Sequence, residues 1–209
     1  MAFLAETTQD DKVLDLARSM DEFEGYAAGQ ASRVAWVADA LGEKFGLARR
    51  DRDFLEQAAL LHDIGEMRMG RDYIRANREL TPHEQLDLER HPVIGEQEIA
   101  KLDLPKSTQL IVRWHHEWWN GAGYPDCLEA EQIPLSARIL RVADAYCSLT
   151  ADRPWRKAMT DPEARRHLAE WAALEFDPAI VIAFRDIHLP QAAPISAVEE
   201  SAPIFSSYL

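Results

Sequence analysis

Apolar residues recur at three- and four-residue intervals along most of the chain, and alternating β-branched runs bounded by turn residues are missing. The pattern predicts helices almost throughout and an all-α fold. Helices are expected over Asp11 to Met20, Ala28 to Phe45, Asp51 to Ile64, Val93 to Leu102, Ser107 to Glu117 and Leu135 to Thr150. Three more starts carry chemical marks. Thr81-Pro82-His83-Glu84 reads as a capping box with proline at the first helical position, and Asp161-Pro162-Glu163 and Asp177-Pro178 repeat the start-with-proline pattern. Between Trp118 and Pro134 the density of Gly, Asn and Pro breaks any helix, and loops on a rigid scaffold often carry binding residues. After Ile187 the chain is rich in Pro, Ala and Ser with little periodicity. The expected division is an N-terminal helical segment over 1–25, a main domain over 26–187 and a flexible tail over 188–209.

Composition narrows this picture. With 209 residues, 47% of them hydrophobic, the chain can bury one sizeable core. A formal charge of −13 disfavours long nucleic acid and anionic membrane surfaces as partners, so an anionic ligand would need a local basic pocket. Cys127 and Cys147 stand far apart without CxxC spacing, which points away from a disulfide framework or a cysteine zinc site and toward the reducing cytoplasm. The N-terminus lacks a basic n-region, and no apolar stretch approaches the length of a membrane span, so a soluble, unprocessed protein is expected.

The candidate chemistry begins at His62-Asp63, which closes the apolar run Ala58-Ala59-Leu60-Leu61. A carboxylate there is costly unless a cation or hydrogen-bond donors compensate it. Alone, the pair reads as a core histidine beside a capping aspartate. Its company changes that reading: His91 before a proline, His115-His116 at the end of an apolar helix, and Asp144 within the run Ile139 to Tyr146. Four helices each deliver a ligand, and neighbouring residues on a helix diverge enough to serve two adjacent ions. Imidazole and carboxylate without thiolate suit iron, manganese or zinc, and a pair of such ions fits phosphoester hydrolysis. His83, His167 and His188 read as surface residues.

Taken in order, His62-Asp63, His91, His115-His116-Glu117, Gly121-Ala122-Gly123-Tyr124-Pro125 and Asp144 make the chain resemble the HD-GYP family of cyclic-di-GMP phosphodiesterases. The likeness extends from about Tyr26 to Phe184 and takes in LTPHEQLDLERHPVIG, IPLSARILRVADAY and DRPWRKAM. It implies an HD-domain helical bundle with a metal site between helices. His62, Asp63 and Asp144 would contribute to one metal position, and Asp63 would bridge to a second held by His91, His115 and His116. Asp63 is then the residue on which turnover depends. Iron or manganese is favoured, with zinc also suitable. Tyr124 and Pro125 of the GYP loop would border the substrate, and Arg153, Arg156 and Lys157 fall where family members carry basic groups near the ligand phosphates. The same loop implies a contact with diguanylate cyclase domains; a sensory partner or a homodimer is compatible with the sequence and not required by it.

Five residues depart from the family pattern: Tyr26 stands where some relatives have a glutamate for a third metal, Trp155 mildly replaces a usual tyrosine, and three others bear on the site directly. Gln30 stands where a histidine ligand of the first metal is usual, Glu66 replaces a lysine near the phosphate, and Cys147 occupies the place of a second aspartate after Asp144. An amide oxygen is a poorer transition-metal ligand than imidazole, so the first position should bind weakly or stay empty, leaving one ion instead of two. Glu66 and Cys147, each three residues after a metal-ligand candidate, are the residues that could supply the missing coordination. Two functions follow: a metal-dependent phosphodiesterase giving the linear dinucleotide or GMP, and a degenerate module that binds cyclic-di-GMP or a cyclase domain without turnover.

Overall fold

The computed structural model describes residues 8–26, 29–152 and 156–188. Helix α1 (Gln9–Glu24) opens on a reciprocal cap: the Thr8 hydroxyl accepts from the Asp11 N–H at 3.1 Å, and the Asp11 carboxylate accepts from the Thr8 N–H at 3.0 Å. Asp21 near its end turns the cap outward to the next element, accepting from the N–H groups of Gly29 and Ala31 at the start of α2 (Gln30–Lys44). A four-residue link joins α2 to α3 (Arg49–Leu61), and the two helices pack on each other as a hairpin.

The expected helix over Asp51 to Ile64 ends early. The chain breaks at His62 and Asp63 and restarts as the short α4 (Ile64–Met69), with Asp63 in a non-helical conformation at φ −100°, ψ 17°. The apolar run hid this break because Ile64 and Gly65 are buried as well. Next come a 3-10 turn over Asp72–Arg75 and α5 (Pro82–Leu88), which carries the expected capping box of Thr81 with Glu84. Helix α6 (His91–Lys101) starts two residues earlier than the apolar pattern indicates, and α7 (Lys106–Trp114) stops before His115, His116 and Glu117. A loop and a second 3-10 turn (Ala130–Gln132) lead to α8 (Leu135–Leu149), then α9 (Asp161–Glu170) and α10 (Pro178–Phe184), both with proline in the first turn as expected.

Helix α8 is apolar on most of its circumference and buries Ile139, Leu140, Val142, Ala143, Tyr146 and Cys147, the pattern of a helix enclosed by others. It packs on α2, α3, α7 and α9, while α4 lies on α6 and α6 on α7. Val13, Ala17 and Met20 of α1 join the same core as Leu41, Leu55 and Leu140. The α4–α6 crossing is close enough that a Cβ on Gly65 would fall 2.0 Å from the His91 carbonyl oxygen. Among the described residues there is no β-strand and no helix long and apolar enough to cross a membrane. Arg153, Trp155 and the tail from 189 onward lie outside the described residues.

Candidate metal centre

Four helix ends or faces converge on one point. The α3–α4 break presents His62 and Asp63, the first residue of α6 is His91, the residues just past α7 are His115 and His116, and the middle of α8 carries Asp144. Because helix ends leave carbonyls without an intrahelical partner, the ring nitrogens of these histidines have ready acceptors. His62 Nδ1 donates to the Ala59 carbonyl at 2.9 Å, His91 Nδ1 to Leu88 at 2.8 Å and His115 Nδ1 to Val112 at 2.6 Å. A carbonyl only accepts, so each Nδ1 carries a hydrogen and each Nε2 is the nitrogen directed elsewhere.

Each of these three Nε2 atoms comes close to Asp63. His91 Nε2 lies 3.3 Å and His115 Nε2 3.6 Å from Asp63 Oδ1, while His62 Nε2 lies 3.1 Å from Oδ2 and 3.6 Å from Asp144 Oδ1. His91 and His115 place their Nε2 atoms 3.5 Å apart. Asp63 Oδ1 is buried and makes no hydrogen bond. Ligand atoms of Asp63, His91, His115 and His116 lie within 4.8 Å of one another, so the residues present fit a divalent cation: a buried carboxylate oxygen without a donor faces two imidazole lone pairs.

The charges follow from the packing. Burial alone would raise the Asp63 carboxyl, but the charge of His62 beside it holds it well below the usual carboxylate range. Burial works against a charged His62, yet Asp63 and Asp144 raise it well above an ordinary histidine. Burial lowers both His115 and His116, and the nearby His115 and Arg141 lower His116 further.

The loop after α7 is fastened over this centre. Glu117 accepts from the N–H groups of Asp126 at 2.7 Å and Leu128 at 3.0 Å. Tyr124 stacks on the His116 ring with centroids 4.8 Å apart. Gly123 is required by close approach, since a Cβ there would come 2.2 Å from the Trp118 nitrogen and 2.5 Å from the His116 oxygen. Pro125 follows Tyr124 through a cis peptide and is half-buried. Arg113 grips Asp126 with two nitrogens at 2.7 and 2.8 Å and reaches Glu96 on α6 with a third at 2.8 Å.

Other expected site residues are placed differently. Arg156 donates to the carbonyls of Leu149 and Ser148, where it caps the C-terminal end of α8, and Lys157 is exposed. Gln30 is buried at the start of α2. Burial pushes the Cys147 thiol up to about 12, and Cys147 belongs to neither ligand-like group among the described residues. Glu66 does: its carboxylate gathers with those of Asp63 and Glu24. Glu24 and Arg141 were not anticipated. Arg141 sits three residues before Asp144, donating to Asp144 Oδ2 at 3.1 Å and ion-pairing with Glu175. Its sequence signal is a charged residue inside the apolar run Ile139 to Tyr146, three positions before Asp144.

A model of the HD domain matches residues 18–180. The chain is 34% identical over 179 residues to the cyclic di-GMP phosphodiesterase response regulator RpfG of Xanthomonas campestris pv. campestris, covering 84% of this chain and 47% of that protein. It is 29% identical over 183 residues to the 3'3'-cGAMP-specific phosphodiesterase 2 of Vibrio cholerae, covering 87% of this chain and 35% of that one. The crystal structure of a cyclic GMP-AMP specific phosphodiesterase of V. cholerae shares the fold, with a TM-score of 0.66 at 18% identity over 83% of this chain and 47% of that chain. The chain thus spans less than half the length of these relatives. Since the matched span takes in every segment that contributes to the His/Asp cluster, the chain belongs to the HD domain family, as one of its HD-GYP members.

Proposed function

We propose that the chain is a metal-dependent phosphodiesterase that opens a cyclic dinucleotide, cyclic-di-GMP in the first instance, to the linear dinucleotide or GMP. The observation that carries this reading is Asp63 Oδ1, buried without a hydrogen bond between the Nε2 atoms of His91 and His115. Asp63, His91 and His115 would hold the ion, with His116 alongside; His62 and Asp144 flank the other Asp63 oxygen, where a second ion would be held only weakly. Such an ion supplies Lewis acidity toward a phosphoryl oxygen and lowers the pKa of water. Imidazole and carboxylate donors favour iron or manganese and also suit zinc.

The protein groups have separate tasks. The backbone carbonyls of Ala59, Leu88 and Val112 fix which nitrogen of each histidine faces inward. Tyr124, held by its stacking on His116 and by the Glu117 clamp on the loop, borders the substrate together with Pro125. Relatives named for cyclic di-GMP and for 3'3'-cGAMP both align with this chain, so the base at the second position is the point on which they divide. The loop of Gly123, Tyr124 and Pro125, followed by the exposed Asp126 and Cys127, is the surface proposed for a diguanylate cyclase domain.

The test is chromatography of cyclic-di-GMP and 3'3'-cGAMP after incubation with ferrous iron, manganese or no metal, with Asp63→Ala as control. Metal-dependent product that disappears in the control is expected. Equal product without metal, or from Asp63→Ala, would refute the reading.

A further inference from the structure

Four histidines meet at the centre, and one of them is turned against the other three. His62, His91 and His115 each spend Nδ1 on a backbone carbonyl. His116 Nδ1 instead lies 3.2 Å from Arg141 Nη1. A guanidinium has only hydrogens to offer, so His116 Nδ1 accepts, and the proton of the neutral ring sits on Nε2. A ring held in this way has no free lone pair for a metal. If Nε2 were the ligand, Nδ1 would carry the hydrogen and point it at an arginine N–H; if Nδ1 were the ligand, the ion would need the space that Arg141 fills.

Arg141 is not free to move aside. The same Nη1 donates its second hydrogen to Asp144 Oδ2 at 3.1 Å, Nη2 is ion-paired with Glu175, and the side chain is only 15% exposed. We infer that Arg141 is a positioning residue that withdraws His116 from the metal-ligand set and stands as a fixed cation between His116 and Asp144. The chain therefore holds one tightly bound ion, through Asp63, His91 and His115, and His116 is a hydrogen-bond donor at its edge. This rests on the metal-centre reading and narrows it.

Two measurements decide the matter without recourse to turnover. In the metal-free wild type, long-range proton–nitrogen NMR should find the His116 proton on Nε2 and those of His91 and His115 on Nδ1. Manganese counted by mass spectrometry after dialysis should give one ion per chain in the wild type. His116→Gln should keep that ion with affinity changed less than about three-fold, and His115→Gln should weaken it at least about ten-fold. Arg141→Met should rise toward two ions; because it strands Glu175 and could unfold, the wild-type spectrum and the two histidine variants decide independently. A His116 proton on Nδ1, two tight ions in the wild type, or equal loss from both histidine variants would overturn the inference and leave the metal centre standing. A wild type that takes up no ion removes the centre itself, and the inference with it.

Discussion

Single atoms decide whether the centre exists, and the most exacting of them is one that is absent. Gly65 needs no unusual backbone angle, but α4 crosses α6 over its missing side chain: a Cβ would sit 2.0 Å from His91 O and 2.9 Å from Gly95 N. Both are backbone atoms and cannot rotate away, so Gly65→Ala must push the two helices apart. Overpacking of this kind costs about 1–3 kcal/mol, and a backbone clash belongs at the upper end. The same separation carries His91 away from Asp63, two residues before the substitution. Urea unfolding should therefore show a lower midpoint, and manganese should bind at least about ten-fold more weakly. A variant as stable as the wild type, with unchanged affinity, would mean that α4 and α6 do not cross this closely. His62, His91 and His115 illustrate what a residue-level reading can reach. Their identities mark them as ligand candidates, while the choice of Nε2 over Nδ1 depends on carbonyls of Ala59, Leu88 and Val112 that only the folded helix ends leave available.

At the scale of elements, the helices with chemical punctuation were legible: Thr81 with Glu84, Asp161-Pro162 and Asp177-Pro178 all start helices where the sequence indicates. The break at His62-Asp63 was not, because burial continues through Ile64 and Gly65 and periodicity does not register a short non-helical step inside an apolar run. The same limit applies to Arg156, whose guanidinium could serve a phosphate or a helix end; the open carbonyls of Ser148 and Leu149 take it. Arg141 is not legible in the same way, because an arginine on an apolar helix usually reaches for solvent, and its partners Glu175 and His116 come from distant sequence. Between elements, Arg113 of α7 ties α6 to the loop through Glu96 and Asp126. Its hydrogen bonds hold the Asp126 carboxyl below the ordinary aspartate range; Glu96, which burial would raise, is held low by Lys106 and Arg113. Carboxyls depressed in the folded state give stability that is fully present above their unfolded values, about 4 to 4.5, and lost as pH falls through the folded ones. Arg113→Met should thus be less stable than the wild type at pH 7, with a shallower acid limb, so that the two denaturation midpoints converge below about pH 4. Parallel curves down to pH 3 would show that Arg113 does not set these carboxyls.

For the molecule as a whole, the balance of 23 basic against 36 acidic residues sets a problem that the site must solve locally. On the proposed function, a cyclic dinucleotide with two phosphodiester charges would approach a chain with a formal charge of −13. Carboxylates also crowd the centre: Glu24, Asp63 and Glu66 gather on one side and Asp144 and Glu175 on another. Against them stand Arg141, already committed to Asp144 and Glu175, and the ion the site would hold. At contact range a bound ion would dominate, because a divalent charge in a water-poor site would act on a phosphate directly. At longer range the whole acidic surface repels the ligand, and salt screens that repulsion over about 10 Å at 0.1 M. The two ranges predict opposite responses to ionic strength, and only the long one is screened strongly. We expect kcat/KM to rise by about two- to five-fold between about 10 and 150 mM salt while kcat stays level, since screening aids encounter and leaves the bound complex unchanged. Steady-state rates in sodium chloride at fixed manganese measure this. A fall in kcat/KM over that range would show that a local positive field reaches beyond the site and steers the substrate in, outweighing the charge of the rest of the chain.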